Sequence, residues 1–268
     1  MKIIESFQNP TIKKILLLQE KSKLRKEENV FVVDGWKETK MALENNFVIQ
    51  TLFCSATTVN SDDFPKMEAT LSSQKNKIEI IQVSDAIFEK IAYRGNTSKV
   101  VAIAQQKQVA LSNISLSNNP IILVLDAVEK PGNLGALLRI ADAANIDAVL
   151  CCDVATDIYN PNVIRSSVGC VFTQQIAVAN KESCYQFLKS NQISIFTTSL
   201  KAAKNYLSVD YTPATAFVMG TEATGVDVFW ENNADQNIII PMRGQNDSLN
   251  VSNSAAIVLF EALRQRQL

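Results

Sequence analysis

Short apolar runs alternate with segments of helical periodicity along most of this chain. Strands buried on both faces read as continuous apolar runs, whereas the helices that cover them repeat their apolar residues every 3.6 positions. The first hundred residues predict a small α/β unit. Its predicted elements are a helix at 10–26, a strand at 30–33, a helix at 36–43, strands at 48–53 and 78–83, a helix at 84–92 and a strand at 100–104.

The pattern is more regular in the second half of the chain. Continuous apolar strands that alternate with helices are typical of a parallel sheet covered on both faces. Ligands of such folds bind at the carboxyl ends of the strands, so the loops that follow the strands are where chemistry is expected. The predicted strands are 121–125, 148–152, 194–197, 216–219 and 238–240, and the predicted helices are 134–144, 162–168, 183–189 and 254–266.

A polar segment separates the two patterned regions. Residues 105–119 are rich in Gln, Ser and Asn, which favours a connection over a packed element. We therefore predict two domains, residues 1–105 and 120–268, joined by a linker at 106–119.

Composition narrows the class of protein. A hydrophobic content of 47% and a charged content of 20% are typical of a globular protein. The chain has neither the run of about 18 apolar residues that a membrane span needs nor the pattern of a signal peptide. We therefore expect a cytoplasmic protein without a membrane partner. The five cysteines lack metal-site or redox spacing, which favours buried thiols in a reducing compartment.

The chain contains no histidine, which excludes Ser-His-Asp and Cys-His hydrolases and every His-liganded metal site. The net charge of −1 does not itself indicate nucleic-acid binding. However, residues 1–110 contain 16 Lys and Arg against 13 Asp and Glu, whereas residues 111–268 contain 10 against 14. A basic cluster near the start fits either an RNA contact or a solvated helix face. Its members are Lys13, Lys14, Lys21, Lys23, Arg25 and Lys26.

Three strand ends lead into polar loops that contain glycine, at residues 126–135, 220–225 and 241–252. One such loop would be an ordinary turn with a helix cap, but three at one edge of a sheet predict a composite pocket. Five of the eight glycines of the chain lie in these loops, which indicates close approach of the backbone to a ligand. The G-x-G-x-x-G and G-x-x-x-x-G-K-[ST] signatures are absent, which disfavours ordinary Rossmann and P-loop proteins.

In this order and spacing, the loops resemble the three motifs of the SpoU family of RNA ribose 2′-O-methyltransferases, within the SPOUT superfamily. The similar segments are PGNLG (131–135) with Arg139, MGTEATG (219–225) and IPMRGQNDSLNVS (240–252), together with NPNVIRSSVG (160–169) between the first two. This likeness extends over residues 121–268. Residues 1–105 resemble the family's L30e-like substrate-binding domain more weakly, through Arg25, FVVDGW (31–36) and Tyr93-Arg94-Gly95.

The resemblance implies an α/β fold in which a small L30e-like α/β domain precedes a parallel-sheet SPOUT domain with a trefoil knot. It also implies S-adenosyl-L-methionine as the methyl donor, without a metal, and a homodimer with the active site at its interface. The residues that match the family's functional positions fall into three groups. They are catalytic Asn133, Arg139, Glu222, Ser248 and Asn250; cofactor-binding Gly220, Ile240 and Leu249; and RNA-binding Arg25, Arg94 and Arg165.

Each of these residue types suits its implied role. Arg139 is expected to orient the RNA and polarise the attacking hydroxyl, because a guanidinium with a pKa above about 12 is not a free base. Asn133 is expected to cap the helix that carries Arg139, so that the Arg139 side chain can project from this helix toward the strand-edge pocket. Ser248 and Asn250 fit either the pocket floor or a cap of the last helix. Ala223 departs from many relatives, which have glycine after the glutamate.

Two functions of other classes compete with this interpretation. A non-catalytic RNA-binding protein that retained the fold is disfavoured by the intact catalytic set. A different nucleotide-dependent α/β enzyme is disfavoured by the absent phosphate-binding signatures. Within the methyltransferase interpretation, the N-terminal domain favours large-subunit ribosomal RNA over transfer RNA as the substrate.

Overall fold

The computed structural model describes residues 1–74, 76–93, 98–154, 156–200, 202, 204–221 and 224–267. The chain divides into two compact units that interleave along the sequence. The N-terminal unit comprises Met1–Lys107 and Ile158–Thr173, and the C-terminal unit comprises Gln108–Asp157 and Gln174–Leu268.

Helices and strands alternate through both units. Up to residue 107 they are β1 Lys2–Ile4, α1 Pro10–Glu20, α2 Ser22–Glu28, β2 Val30–Asp34, α3 Trp36–Glu44, β3 Ile49–Ser55, α4 Ala56–Val59, α5 Phe64–Ser72, β4 Glu79–Val83, α6 Asp85–Ile91 and β5 Val100–Gln105. Beyond it they are β6 Ile121–Asp126, α7 Pro131–Ala143, β7 Ala148–Cys152, α8 Pro161–Ser166, β8 Ile176–Ala179, α9 Lys181–Ser190, β9 Ser194–Thr198, β10 Lys204–Asn205, β11 Thr215–Met219, α10 Val228–Asn233, β12 Gln236–Ile239 and α11 Val251–Gln265.

The described strands of the N-terminal unit form one mixed sheet in the order β1-β4-β3-β5-β2. Strands β1, β4 and β3 are parallel, and β5 runs antiparallel to both of its neighbours. Helix α1 buries Ile12, Ile15 and Leu18 in the core on one face of this sheet. Its start follows from the sequence, because Pro10 occupies the first turn and the Asn9 side chain accepts the N–H of Thr11.

The helix predicted at 10–26 is two helices. Lys21 adopts an extended conformation, with φ −104° and ψ 103°, which ends α1 at Glu20 and starts α2 at Ser22. Arg25 stabilises this break, since its guanidinium donates to the carbonyl oxygens of Leu18 at 2.6 Å and Gln19 at 3.2 Å. Arg25 is only 1% exposed.

A later segment of the chain completes the N-terminal unit. The Phe31 ring stacks on Tyr159, with centroids 4.5 Å apart, and lies 5.8 Å from Phe172, while Phe47 meets Phe172 edge to face at 5.1 Å. These aromatic contacts explain why residues 158–173 pack with residues 1–107. The predicted boundary places residues 158–173 in the second domain, because it assigns each domain one continuous stretch of sequence.

The described strands of the C-terminal unit form one sheet in the order β10-β12-β9-β11-β6-β7-β8, and every pairing in it is parallel. The predicted α/β class and parallel sheet are therefore confirmed. Because β12, β9, β11 and β6 are neighbours, the loops at their carboxyl ends converge. Among the helices of the described ranges, none is long and apolar enough to cross a membrane.

Several short elements were not predicted from the pattern. Strand β8 has four residues and β10 has two, and helix α10 has only six residues, VFWENN. Strand β1 and helices α4 and α5 were also missed. Apart from α5, which has nine residues, these elements carry too few residues for a periodicity to emerge, and tertiary packing determines their conformation.

Candidate active site

A cleft of about 740 Å³ lies at the carboxyl edge of the seven-stranded sheet. The loops after β6, β9, β11 and β12 contribute to its walls, as the strand order requires. Six of the predicted site residues line it. These are Asn133, Gly220, Ile240, Ser248, Leu249 and Asn250.

Asn250 connects the first and third of the predicted motifs. Its Oδ1 accepts the backbone N–H of Ser252 at 2.9 Å and the Ser252 hydroxyl at 2.6 Å, so Asn250 caps α11. Its Nδ2 donates to Oδ1 of Asn133 at 3.2 Å, across 117 positions of sequence. The cap and the pocket role, which appeared as alternatives in the sequence, are combined in one side chain.

The prediction that Asn133 caps its helix is wrong. Helix α7 begins at Pro131, and Lys130 occupies the cap position without a side-chain hydrogen bond. Asn133 is therefore the third helical residue. Proline suits the first helical position because it has no N–H to satisfy, and this moves the helix start ahead of the asparagine. The side chain of Asn133 is consequently available to Asn250.

The loop after β11 folds back on itself. The backbone groups of Thr221 and Gly225 exchange hydrogen bonds at 2.9 and 3.1 Å, and the Thr224 N–H donates to the Thr221 hydroxyl at 3.0 Å. A Cβ atom on Gly220 would lie 2.2 Å from the carbonyl carbon of Gly225. Gly220 is thus required by the loop's own backbone, whereas we had predicted approach to a ligand as the reason. Glu222 and Ala223 lie outside the described residues.

The third motif supplies a largely exposed wall of the cleft. Residues 243–250 are all exposed, and the Ser248 hydroxyl donates to Asp247 Oδ1 at 3.0 Å. The apolar part of the lining comes from Ile240, Leu249 and neighbouring strand residues. Such a surface fits a flat heterocycle such as adenine, while the amides and hydroxyls nearby fit polar groups of a ligand.

Ser199 and Glu231 are among the lining residues that were not predicted from the sequence. The Ser199 hydroxyl, just after β9, donates to Oε1 of Glu231 on α10 at 2.7 Å. Helix α10 is anchored at its start, because Asp126 Oδ2 accepts the N–H of Asp227 at 2.9 Å. Burial raises the pKa of Asp126 above its usual range. The rule that ligands bind at strand ends could have identified Ser199. Glu231 could not be identified in this way, because it lies on α10, a helix that was not predicted.

Arg139 is not among the described residues that line the cleft. It is exposed on α7, six positions after Asn133. Six helical residues correspond to about 600° of rotation, so the two side chains leave the helix about 120° apart. The two side chains therefore leave α7 on different sides, and the catalytic role of Arg139 stays a prediction.

The three arginines predicted to bind RNA have different environments. Arg25 is buried and bonded to helix carbonyls, so the structure contradicts an RNA contact for it. Arg94 lies outside the described residues. The guanidinium of Arg165 lies 3.9 Å from the centre of the Tyr93 ring and donates to Asn162 Oδ1 at 3.0 Å.

All five cysteines are buried, as the sequence predicted. Burial raises the pKa of Cys54 to about 11 and that of Cys151 to about 12, so both remain protonated thiols near neutral pH. In the described part of the chain, no group of three or more Cys, Asp or Glu side chains could hold a metal ion.

We predict that Gly220→Ala weakens binding of S-adenosylmethionine, the cofactor implied by the motifs, by about tenfold or more. Relief of the 2.2 Å contact must displace the lining loop, and overpacking of this kind costs about 1–3 kcal/mol. Gly132→Ala is the matched control, because a Cβ there meets no atom within 4 Å and lies in a helix. Calorimetry on both variants measures the effect, and equal affinities would contradict the steric argument.

Comparisons with known proteins agree with the geometry. Residues 120–260 match the SpoU rRNA methylase family, and residues 9–102 match the MRM3-like substrate binding domain. The chain is 28% identical over 260 residues to the 23S rRNA (guanosine(2553)-2′-O)-methyltransferase RlmP of Bacillus subtilis, covering 97% of this chain and 98% of that protein. It is 35% identical over 173 residues to the 23S rRNA (guanosine-2′-O-)-methyltransferase RlmB of Bordetella pertussis, covering 63% of this chain and 71% of that protein.

Solved structures extend the likeness to the whole chain. An RNA 2′-O ribose methyltransferase has 34% identity and a TM-score of 0.85, with 99% of this chain and 100% of that chain covered. An S-adenosylmethionine-bound rRNA methyltransferase from Sinorhizobium meliloti has 29% identity and a TM-score of 0.88, with 98% and 97% covered. The resemblance identified from the three motifs is thereby confirmed, and this chain belongs to the SpoU rRNA methylase family.

Proposed function

We propose that this protein transfers the methyl group of S-adenosylmethionine to a ribose 2′-hydroxyl of large-subunit ribosomal RNA, in the cytoplasm. The carrying observation is the cleft in which all three motif loops meet, the first and third of them joined by the Asn133–Asn250 hydrogen bond. The relatives named for 23S rRNA support the choice of ribosomal over transfer RNA.

The lining of the cleft fits the cofactor. Ile240 and Leu249 offer apolar surface to the adenine, and Gly220 brings backbone groups close to it. When bound, the cofactor supplies a methyl group that the positive sulfur already activates. The residues of the chain therefore need only hold the donor, position the ribose hydroxyl and help that hydroxyl lose its proton.

We assign these tasks to the amide and hydroxyl groups of the cleft and to Arg139. Asn133 and Asn250 hold each other's orientation, which keeps their remaining hydrogen-bonding groups fixed at the cleft edge. We retain Ser248 and Glu222 as catalytic candidates on the family resemblance. Arg139 is exposed on the flank of α7. There it acts on the ribose of an RNA that binds to this face, either directly or in the active site of a second copy of the chain.

We also assign different tasks to the two units. The C-terminal unit holds the cleft and catalyses transfer, while the N-terminal unit, which matches a substrate-binding domain, selects the RNA. The excess of basic residues in the first 110 positions supports this division, because RNA presents a dense array of phosphates.

The experiment that tests the activity combines the purified protein with labelled S-adenosylmethionine and unmodified 23S rRNA. We expect label in a 2′-O-methylated nucleotide at one position, in buffer that contains excess chelator. A pool of transfer RNA is the parallel substrate. Methylation of transfer RNA alone would change the assigned substrate, and binding of RNA without any transfer would favour a non-catalytic protein.

We predict that Arg139→Ala lowers single-turnover methyl transfer by about a hundredfold while cofactor affinity stays within twofold. Arginine contacts strengthen as the hydroxyl gains negative charge, so their loss falls on the rate, as for other preorganised donors. Arg139→Lys is expected to restore little, since lysine lacks the planar fork of donors. Near-normal turnover of Arg139→Ala would show that this arginine is structural.

We further propose a homodimer whose interface includes the outer face of α11. The apolar residues Ala255, Val258 and Leu259 are buried within the unit, but Phe260 remains 50% exposed on the other side of this helix. Residues 243–250, which form one wall of the cleft, are also exposed in the single chain. Their exposure favours a dimer in which the second copy covers this wall.

We predict that Phe260→Glu raises the dimer dissociation constant by about tenfold or more, because it places a charge in an apolar contact. Sedimentation across micromolar concentrations measures the shift. Gln267→Glu is the control for charge alone, since it adds the same single negative charge at an exposed position just after this helix. A wild-type protein that is monomeric and fully active at these concentrations would contradict the proposed dimer.

A further inference from the structure

Tyr93 is the most exposed of the large apolar and aromatic residues that the structure describes, with 66% of its surface open to solvent. It lies two residues after the end of α6, in the N-terminal unit. Single exposed aromatic rings are common at protein surfaces, so the contacts around this ring, and not its exposure alone, indicate what it does.

The backbone at Tyr93 is fixed by the sheet. Its N–H donates to Oδ2 of Asp34 at 2.9 Å, and Asp34 is the last residue of β2. Strand β2 pairs with β5 along its full length. Although the ring is exposed, it therefore starts from a backbone position that the sheet holds in place.

One side of the ring is occupied by a cation. The guanidinium carbon of Arg165 lies 3.9 Å from the ring centre, and Arg165 Nη2 donates to Asn162 Oδ1 at 3.0 Å. Asn162 and Arg165 both belong to α8, which packs within the same unit. The short ring distance indicates a stacked cation–π contact, and Asn162 limits the rotation of the guanidinium.

The other cation–aromatic pairs of this unit differ from it. Lys107 lies 4.3 Å from the Phe47 ring, but Phe47 is buried against other aromatic rings. Lys90 lies 5.3 Å from the Phe7 ring, farther away than Arg165 lies from Tyr93, and Phe7 is less exposed. Among the described pairs, Tyr93 with Arg165 best combines an open ring with a close cation.

We propose that Tyr93 stacks on an unpaired base of the RNA substrate, with Arg165 supporting the ring from its other side. This inference rests on the proposed function, because it names how the N-terminal unit holds that substrate. Proteins that bind unpaired nucleotides use exposed aromatic rings for the bases and cations for the backbone. The remaining donors of Arg165 reach phosphate oxygens beside the stacked base. Tyr93 thus provides a contact to a base, which Arg165 alone does not provide.

The test is the affinity of the full chain for unmodified 23S rRNA in the presence of S-adenosylhomocysteine, which binds without reacting. Tyr93→Leu is expected to weaken RNA binding by about tenfold, within the range for one lost aromatic–base stack. Tyr93→Phe and Tyr93→Trp keep a ring and are expected to remain within twofold of wild type. Leu17→Ala, which removes an exposed aliphatic side chain from α1, is the control for lost apolar area.

Two further readouts separate stacking from a merely structural role. Loss of the ring removes no charge, so Tyr93→Leu should leave the salt dependence of binding unchanged, whereas Arg165→Gln should reduce its slope. The added indole of Tyr93→Trp should be quenched by RNA, relative to the same titration of wild type. Equal affinity of Tyr93→Leu and wild type, or an unquenched indole in a variant that binds RNA, would overturn the proposal.

The outcome is independent of whether catalysis is assigned correctly. If wild type binds 23S rRNA without methylating it, the proposed activity fails while the binding and fluorescence results still decide the role of Tyr93. If wild type methylates the RNA and Tyr93→Leu matches it in KM and affinity, the stacking proposal fails and the activity stands.

Discussion

The parallel pairing of β11 with β6 on one side and β9 on the other determines where the functional loops of the C-terminal unit lie. Val218 pairs with Val124 and with Thr197, so the three strands end at nearly the same level. Strand β12 then pairs with β9 and brings the third motif to the same edge. Four separate stretches of sequence form one cleft because parallel strands present their carboxyl ends together.

The contacts above the sheet depend on this alignment. Asn250 starts α11 and Asn133 lies in the first turn of α7, and these two helices pack against each other. Their hydrogen bond therefore joins two helix starts that the sheet has already placed nearby. A capping residue with a second amide hydrogen bond is a compact way to fix a site, since the backbone holds one end of the side chain and the site uses the other.

Strands β6, β7, β9, β11 and β12 of this unit could be predicted because each contains an apolar run of a type that parallel sheets bury, whereas the short β8 and β10 could not. The edge at which the loops meet followed from the same rule. Side-chain directions did not follow, as Arg139 shows, because loop and motif order do not specify which face of α7 a residue occupies. Glu231 was missed for a related reason, since α10 has only six residues and its position depends on the buried Asp126 and Trp230.

The fate of the arginines explains why charge alone is a poor guide to the RNA surface. Arg25 donates to carbonyls inside the N-terminal unit, and Arg266 donates to the carbonyl oxygens of Asn119 and Tyr211 in the other unit. Both arginines satisfy carbonyl oxygens at a helix end or in connecting segments. A count of basic residues cannot distinguish such arginines from arginines that bind RNA. Some of the arginines bond to the chain's own carbonyl oxygens, and the net charge is −1. Attraction to phosphates alone therefore gives little selectivity among RNA sequences. A chain of this composition needs contacts to bases as well, and an exposed ring backed by a guanidinium supplies one without requiring a strongly basic surface.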